Sequence, residues 1–174
     1  MASAGHEPPY DLDAIAEDLV NRSRRILPDD IINRKVSIPK VNGIYGWFAL
    51  DGGRIAYIGK ATGTGGLQRR IVKRYLNPDS LETRDGRIRD LDKFQIEHPV
   101  YVNGKLAIDK GSFRKNVARK YLLKAGQESV DYLIQNFAVS YVVLEGLSPD
   151  VIVEIEERLI KRFRPEFNVY GKLW

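Results

Sequence analysis

One carboxylate near the C-terminus has an unusual chemical setting. Residues 149–163 read as a long helix, in which side chains three and four positions apart are surface neighbours. All four such neighbours of Glu156 are apolar: Ile152, Val153, Leu159 and Ile160. A buried carboxylate without a partner costs several kcal/mol, so it must be paired, protonated or bound to a metal ion. From spacing alone, Glu156 is either paired with an Arg or Lys of a sheet, or a metal ligand.

A second group that could act on an anion lies in residues 67–76, which read as an amphipathic helix. Its apolar side chains share one face: Leu67, Ile71, Val72, Tyr75 and Leu76. Its cations share the other: Arg69, Arg70, Lys73 and Arg74. Glycines at 63, 65 and 66 precede the helix, where free backbone N–H groups favour phosphate. Such cations are solvated surface charge by default, and phosphate ligands if the helix meets a polyanion.

The composition limits which metal sites the chain can build. There is no cysteine, and the two histidines, His6 and His98, are far apart in sequence. Disulfides, thiolate zinc sites and multi-histidine sites are therefore excluded. Any bound metal must take oxygen ligands, which suits Mg²⁺ or Mn²⁺.

The overall charge favours a polyanionic partner. Lys and Arg outnumber Asp and Glu, for a formal net charge of +5, which favours contact with nucleic acid. No apolar run approaches the length that spans a bilayer, and the first ten residues lack the order of a signal peptide. We therefore expect no membrane partner and a cytoplasmic location. Ala61 stands where a Walker-type phosphate loop requires Ser or Thr, so we expect no nucleotide cofactor.

Local patterns predict the elements that must position these side chains. Two β-rich runs in residues 43–61 flank the tripeptide DGG at 51–53, a composition typical of a hairpin turn. Residues 138–147 read as a further strand. Ser148, followed by Pro and Asp, predicts the N-terminus of the last helix, which runs to about Phe163.

Upstream, residues 1–42 read as an N-terminal helix and an arm. An apolar stripe over residues 12–26 predicts a helix that Asp11 or Asp13 caps and that Pro28 closes. Residues 43–174 then form the main domain, with an insertion at 79–137. The insertion reads as an extended piece with a turn at Asn103-Gly104, followed by helices near 112–125 and 129–135. The first of these helices is basic, and three of its cations either contact a DNA backbone or are solvated: Arg114, Lys115 and Arg119.

Two tripeptides connect the hairpin with the last helix. Gly43-Ile44-Tyr45 is followed, after eleven intervening residues, by Tyr57-Ile58-Gly59. Lys60 comes directly after the second tripeptide, and Arg70 begins the basic face of the next helix. Glu156 lies twelve positions before Asn168. In order and spacing, these features over residues 43–78 and 139–170 resemble the GIY-YIG nucleases.

The resemblance implies an activity and a role for each matched residue. The fold would be mixed α/β, with a three-stranded antiparallel sheet flanked by helices, and the reaction would be metal-dependent cleavage of DNA. Glu156 would hold one Mg²⁺ or Mn²⁺ ion, and Tyr45 would be the general base. Tyr57 and Lys60 would assist Tyr45 or position the water. Arg70 would clamp the phosphate, and Asn168 would order the helix exit or orient a neighbour.

One position departs from the family pattern. The family often carries Tyr or His four positions after the helix arginine, but here that position is Arg74, and Tyr75 is one residue further. Either the helix is locally overwound, or Arg74 takes the role, or Tyr75 only packs beside Ile71 and Val72.

We therefore expect a metal-dependent endonuclease that acts on double-stranded DNA. Arg69, Lys73 and Arg74 would contact the DNA backbone. The sequence has no separate zinc finger, so any sequence recognition would come from the insertion or the N-terminal arm. This compact organisation resembles the restriction enzymes of the family, and we therefore expect a sequence-specific enzyme of restriction type. The alternatives are a structure-specific repair nuclease and a catalytically silent nucleic-acid-binding module. Whether the chain acts as a monomer or a homodimer stays open.

Overall fold

The helices and strands follow the chain as a mixed α/β arrangement. The structure, a computed structural model, describes residues 9–84 and 90–169. The α-helices are α1 Leu12–Val20, α2 Pro28–Ile32, α3 Gly66–Gln68, α4 Lys93–Glu97, α5 Ser112–Tyr121, α6 Gln127–Asn136, α7 Pro149–Phe163 and α8 Glu166–Val169. Helix α3 continues directly into a π-helix, Arg69–Tyr75. The strands are β1 Gly43–Ala49, β2 Ile55–Ala61, β3 Leu81–Thr83, β4 Val100–Val102, β5 Lys105–Asp109 and β6 Phe137–Val143.

The predicted hairpin forms the centre of the main sheet. Strand β1 pairs antiparallel with β2 on one side and with β6 on the other, so the strand order is β2-β1-β6. Tyr45 of β1 lies opposite Gly59 of β2 and Tyr141 of β6. The predicted three-stranded antiparallel sheet flanked by helices is thereby confirmed.

The two faces of this sheet are buried in separate cores, because successive side chains of a strand point to opposite faces. Ile44 and Ile58 pack against α1 and α7, with Leu19, Ile152, Ile155 and Leu159. Tyr45, Trp47 and Tyr57 point the other way, into an aromatic core with Tyr75, Phe113, Phe137 and Phe167. The side chains that could do chemistry lie at the edge of this second core.

The N-terminal region departs from the prediction after its first helix. Asp11 caps α1 by accepting hydrogen bonds from two backbone N–H groups at 3.0 Å, as one of the two predicted caps. The helix ends at Val20, so the predicted extension to residue 26 is wrong. Ile26 instead exchanges two backbone hydrogen bonds with Val139 on β6. Pro28 begins α2 and does not close a helix, since a first-turn proline loses no helical hydrogen bond.

The insertion contains a second small sheet that the sequence pattern did not reveal. Strands β3 and β4 pair antiparallel with β5, in the order β3-β5-β4. The predicted turn at Asn103-Gly104 joins β4 to β5, with φ angles of 50° and 75°. Helix α5 ends at Tyr121, before the predicted residue 125, because Leu122 adopts a left-handed conformation. Phe113 of α5 stacks on Trp47 and Tyr57 of the main sheet, which anchors the insertion to the core.

The last long helix matches its prediction. Ser148 caps α7 by accepting from the N–H of Val151, and Pro149 occupies the first turn. Across residues 9–84 and 90–169, no helix combines the length and apolar character needed to cross a membrane.

Candidate active site

A cleft of about 440 Å³ opens beside the aromatic core. All the residues predicted from the sequence to take part in catalysis line this cleft: Tyr45, Tyr57, Lys60, Arg70, Tyr75, Glu156 and Asn168. They come from β1, β2, the π-helix, α7 and α8. The insertion forms the facing wall with Glu82, Lys110, Ser112 and Lys115. Of these residues, the sequence pattern indicated only Lys115, as a candidate DNA contact; the others were missed, because strand β3 and the junction of β5 with α5 carry no local signal for a site.

The π-helix brings Tyr75 into the cleft. A π-helix closes i→i+5 hydrogen bonds, and here the N–H of Leu76 donates to the carbonyl of Ile71 at 3.2 Å. The wider turn places the residue five positions after Arg70 on the same side as Arg70. The helix is thus widened, so the prediction of local overwinding is wrong. Tyr75 both packs in the core and lines the cleft, and Arg74 lines the cleft as well.

Three tyrosines form a cluster at the base of the cleft. The Oη atoms of Tyr45 and Tyr75 lie 3.1 Å apart, and the ring centroids of Tyr45 and Tyr57 lie 6.3 Å apart. Burial, and then the neighbouring Tyr75, raise the pKa values of Tyr45 and Tyr57 well above the ordinary value, while Arg70 opposes the shift. At neutral pH both phenols are therefore protonated.

These raised pKa values predict a loss of stability in alkali. A phenol whose folded-state pKa exceeds the ordinary value near 10 stabilises the fold fully below about pH 10, and this contribution is lost as the pH rises through the raised value. We expect the free energy of unfolding in urea to fall progressively as the pH rises above about 10. The fall should be shallower in Tyr45→Phe, and an equal fall in both proteins would contradict the prediction.

Glu156 lies at the edge of the buried face of α7, with its side chain 12% exposed. Its Oε1 accepts from the backbone N–H of Lys60 at 3.0 Å, and its Oε2 forms an ion pair with Lys60 Nζ. The pairing with a cation of the sheet that spacing suggested is therefore present. Glu154 of the same helix is 50% exposed and pairs with Arg158 on the surface.

The donor set at Glu156 fits a hard divalent cation. A carboxylate has about four lone-pair positions, and Lys60 uses two of those of Glu156. Within the described residues, no three His, Asp or Glu side chains gather into a metal-binding group. A metal ion held by Glu156 would therefore complete its coordination with water and substrate oxygens, as Mg²⁺ commonly does.

Asn168 fastens the C-terminal segment to the outer edge of β2. Its Oδ1 accepts from the N–H of Ile58, and its Nδ2 donates to the carbonyl of Ile58, both at 2.8 Å. Ile58 lies between Tyr57 and Gly59, so this bidentate contact fixes the backbone beside the tyrosine cluster. Of the two roles predicted for Asn168, orienting a neighbour agrees with this contact.

We expect Asn168→Ala to lower the free energy of unfolding by about 2 to 4 kcal/mol, because two buried peptide groups lose their partner at roughly 1–3 kcal/mol each. Thermal denaturation measures the change. Asn136→Ala is the matched control, since the side-chain amide of Asn136 donates to the carbonyl of Tyr132 within its own helix. Equal losses in the two variants would contradict the role assigned to Asn168.

Positive charge dominates the cleft and the groove beside it. The carboxylates of the cleft already have cationic partners: Glu156 pairs with Lys60, and Glu82 pairs with Arg84 and Lys115. Arg70 and Arg74 have no ion-pair partner within the described part of the chain. With Arg69 and the glycine loop at 63–66, they also line a smaller groove of about 120 Å³. Burial, and then the nearby Arg70, lower the pKa of Arg74, as expected where cations crowd together.

Two of the cations predicted to contact DNA from α5 are held inside the protein. The side chain of Arg114 is 0% exposed and lies against Asp109, so the prediction that it touches a DNA backbone is wrong. Arg119 is 7% exposed and pairs with Asp92 at 2.8 Å, so the prediction that it contacts DNA is wrong for the same reason. Lys115 lines the cleft and pairs with Glu82. Asp92 is distant in sequence, and Asp109 lies on β5, outside the helix, so helical spacing could not reveal either partner.

No protein-family model, curated protein or solved structure matches this chain.

Proposed function

We propose that the chain is a metal-dependent endonuclease of the GIY-YIG type, with double-stranded DNA as its substrate. The observation that carries the proposal is that the predicted catalytic residues, which are far apart in the sequence, lie together in one cleft. Seven residues from positions 45 to 168, predicted from motif and spacing, line one basic cleft that contains the carboxylate of Glu156 at its proposed metal-binding position. A resemblance produced by chance would have no reason to gather these side chains in one place.

The side chains of the cleft match what phosphodiester hydrolysis requires. A divalent ion held by Glu156 would supply charge neutralisation at the scissile phosphate and a more acidic water. Arg70 has no carboxylate partner in the described residues, and its planar guanidinium suits two phosphoryl oxygens. Lys60 Nζ, beside Glu156, adds a second positive charge at the same point. Charge placed in advance where it develops in the transition state is commonly the largest catalytic contribution.

The tyrosine cluster bears on the proton-transfer step. Burial raises the pKa of Tyr45, so its hydroxyl meets the substrate as a neutral group that can orient the attacking water. For Tyr45 to act as the general base, a cation must lower its pKa, and Arg70 already acts in that direction. The Tyr45–Tyr75 contact offers a route for the proton to move from one hydroxyl to the next.

A catalytically silent nucleic-acid-binding module is the second candidate. The observation that favours it is the contact of Lys60 with both oxygens of Glu156, which satisfies the carboxylate without a metal ion. In that case the basic cleft would bind DNA and leave it intact.

Incubation with supercoiled plasmid, with and without Mg²⁺ or Mn²⁺, tests the proposal. Metal-dependent discrete fragments support a restriction-type endonuclease, and sequencing of their ends gives the recognition site. Cleavage confined to branched or damaged duplexes indicates a structure-specific repair nuclease. Binding without cleavage, at any metal or pH tried, overturns the nuclease assignment in favour of the silent module.

We expect Arg69→Ala to weaken DNA binding and to reduce the slope of log K against log salt by about 1, because each cation that contacts a phosphate releases about one counterion. Fluorescence anisotropy over a salt series measures both quantities. Lys93→Ala is the control: it removes the same charge from an exposed site where Lys93 pairs with Glu97. The prediction fails if the two variants give the same slope.

A further inference from the structure

Arg114 is a fully buried cation that reaches the end of the π-helix. Its Nη1 lies 2.7 Å from the carbonyl oxygen of Asn77, 3.3 Å from that of Arg74 and 3.4 Å from that of Tyr75. Its Nη2 donates to the carbonyl of Ser80. A single side chain of the insertion therefore contacts the backbone carbonyls at the end of the π-helix and in the turn that follows it.

Asp109 fixes this guanidinium from the opposite side. Its Oδ1 lies 2.9 Å from Arg114 Nε, an ion-pair contact and not an aligned hydrogen bond. The same carboxylate accepts from Ser129 Oγ and the N–H of Gly126 at 2.9 Å, and from Gln95 Nε2 at 2.8 Å. Because Asp109 is itself held by residues from several elements of the insertion, the guanidinium of Arg114 has a fixed position. It would not move with the end of the π-helix if that end were displaced.

The end of a helix needs such donors, because its last carbonyls have no partner within the helix. An α-helix over the same residues would turn the carbonyls of Arg74 and Tyr75 to new directions, away from the fixed guanidinium. The contacts of Arg114 therefore favour the π geometry. That geometry carries the Tyr75 hydroxyl to Tyr45 and leaves Arg70 in the cleft.

We propose that Arg114 is a positioning residue for the reaction: by holding the end of the π-helix, it sets where Tyr75 and Arg70 stand relative to Tyr45. The inference rests on the proposed nuclease function for its kinetic readout only. The helical pattern alone would place Arg114 on the surface. Its buried position instead lets a residue of the insertion determine the geometry of the cleft.

The experiment compares Arg114→Lys with Arg119→Lys in the full chain. Arg119 is the matched control, since it lies in the same helix as Arg114. It forms a buried ion pair with Asp92 and contacts no carbonyl of the π-helix. We expect Arg114→Lys to lower the single-turnover cleavage rate about tenfold, with an unchanged Kd for DNA, because small misplacements at a reacting centre are costly. Arg119→Lys should cleave at nearly the normal rate. Equal rates for the two variants overturn the inference.

A second readout does not depend on cleavage. Ring ¹³C resonances of Tyr45 and Tyr75, assigned with Tyr→Phe variants, should move in Arg114→Lys and stay in place in Arg119→Lys. If the normal protein cuts no DNA, the proposed function fails and these resonances alone decide the role of Arg114. If Arg114→Lys does not fold, Asp109→Asn replaces it, and unchanged tyrosine resonances in that variant overturn the inference.

Discussion

Glu156→Gln should lower the cleavage rate by about 1,000-fold and leave DNA affinity nearly unchanged. Glutamine keeps the size of the side chain and can still accept from the N–H of Lys60, so the fold and the local backbone should persist. It loses the negative charge that would hold a divalent cation. Loss of about 4 kcal/mol of transition-state stabilisation, a moderate value for a catalytic metal ion, corresponds to roughly a thousandfold in rate.

Glu154→Gln provides the matched control on the same helix. Glu154 is exposed, pairs with Arg158 and accepts from the hydroxyl of Tyr10, all away from the cleft. Single-turnover cleavage and calorimetric titration with Mn²⁺ should both distinguish the two variants. If Glu154→Gln loses metal binding and cleavage while Glu156→Gln keeps them, the assignment of the metal ligand is wrong.

The parts of the fold that sequence could predict are those encoded by neighbouring residues. The DGG turn between two β-rich runs specified the β1–β2 hairpin. Ser148 and Pro149 specified the start of α7, because capping depends only on local side chains. The apolar neighbours of Glu156 indicated a partly buried carboxylate with a partner, and Lys60 is that partner. Each inference needed a pattern no longer than a few helical turns.

The parts that sequence could not predict depend on residues far apart in the chain. The π geometry of residues 69–75 leaves no mark in an amphipathic pattern, and its stabilising contacts come from Arg114. The charges of Arg114 and Arg119 indicated either contact with DNA or a solvated face, because a helical pattern does not show that Asp109 on β5 and the more distant Asp92 lie against them. Strands β3 and β4 of that sheet have three residues each, too few to show an alternation of apolar and polar side chains. Their pairing therefore depends on how the whole insertion packs.

Gly59 faces Tyr45 across the hairpin at a distance that excludes any side chain. A Cβ at this position would lie 2.3 Å from the Oη and 2.4 Å from the Cζ of Tyr45, and 2.8 Å from Cε1 of Tyr57. The ring of Tyr45 cannot swing aside freely, because it is buried and Tyr75 stands next to its hydroxyl. Glycine in the second tripeptide thus makes room for the tyrosine of the first.

We expect Gly59→Ala to lower the free energy of unfolding by about 1–3 kcal/mol, the usual cost of overpacking a core, and to lower the cleavage rate about 100-fold by displacing Tyr45. Gly46→Ala is the control: its added Cβ would meet Phe48 at 3.1 Å, on the opposite face of the sheet. That variant should lose stability but retain cleavage. Urea denaturation and single-turnover rates for the pair separate the two effects, and equal cleavage rates would refute the displacement of Tyr45.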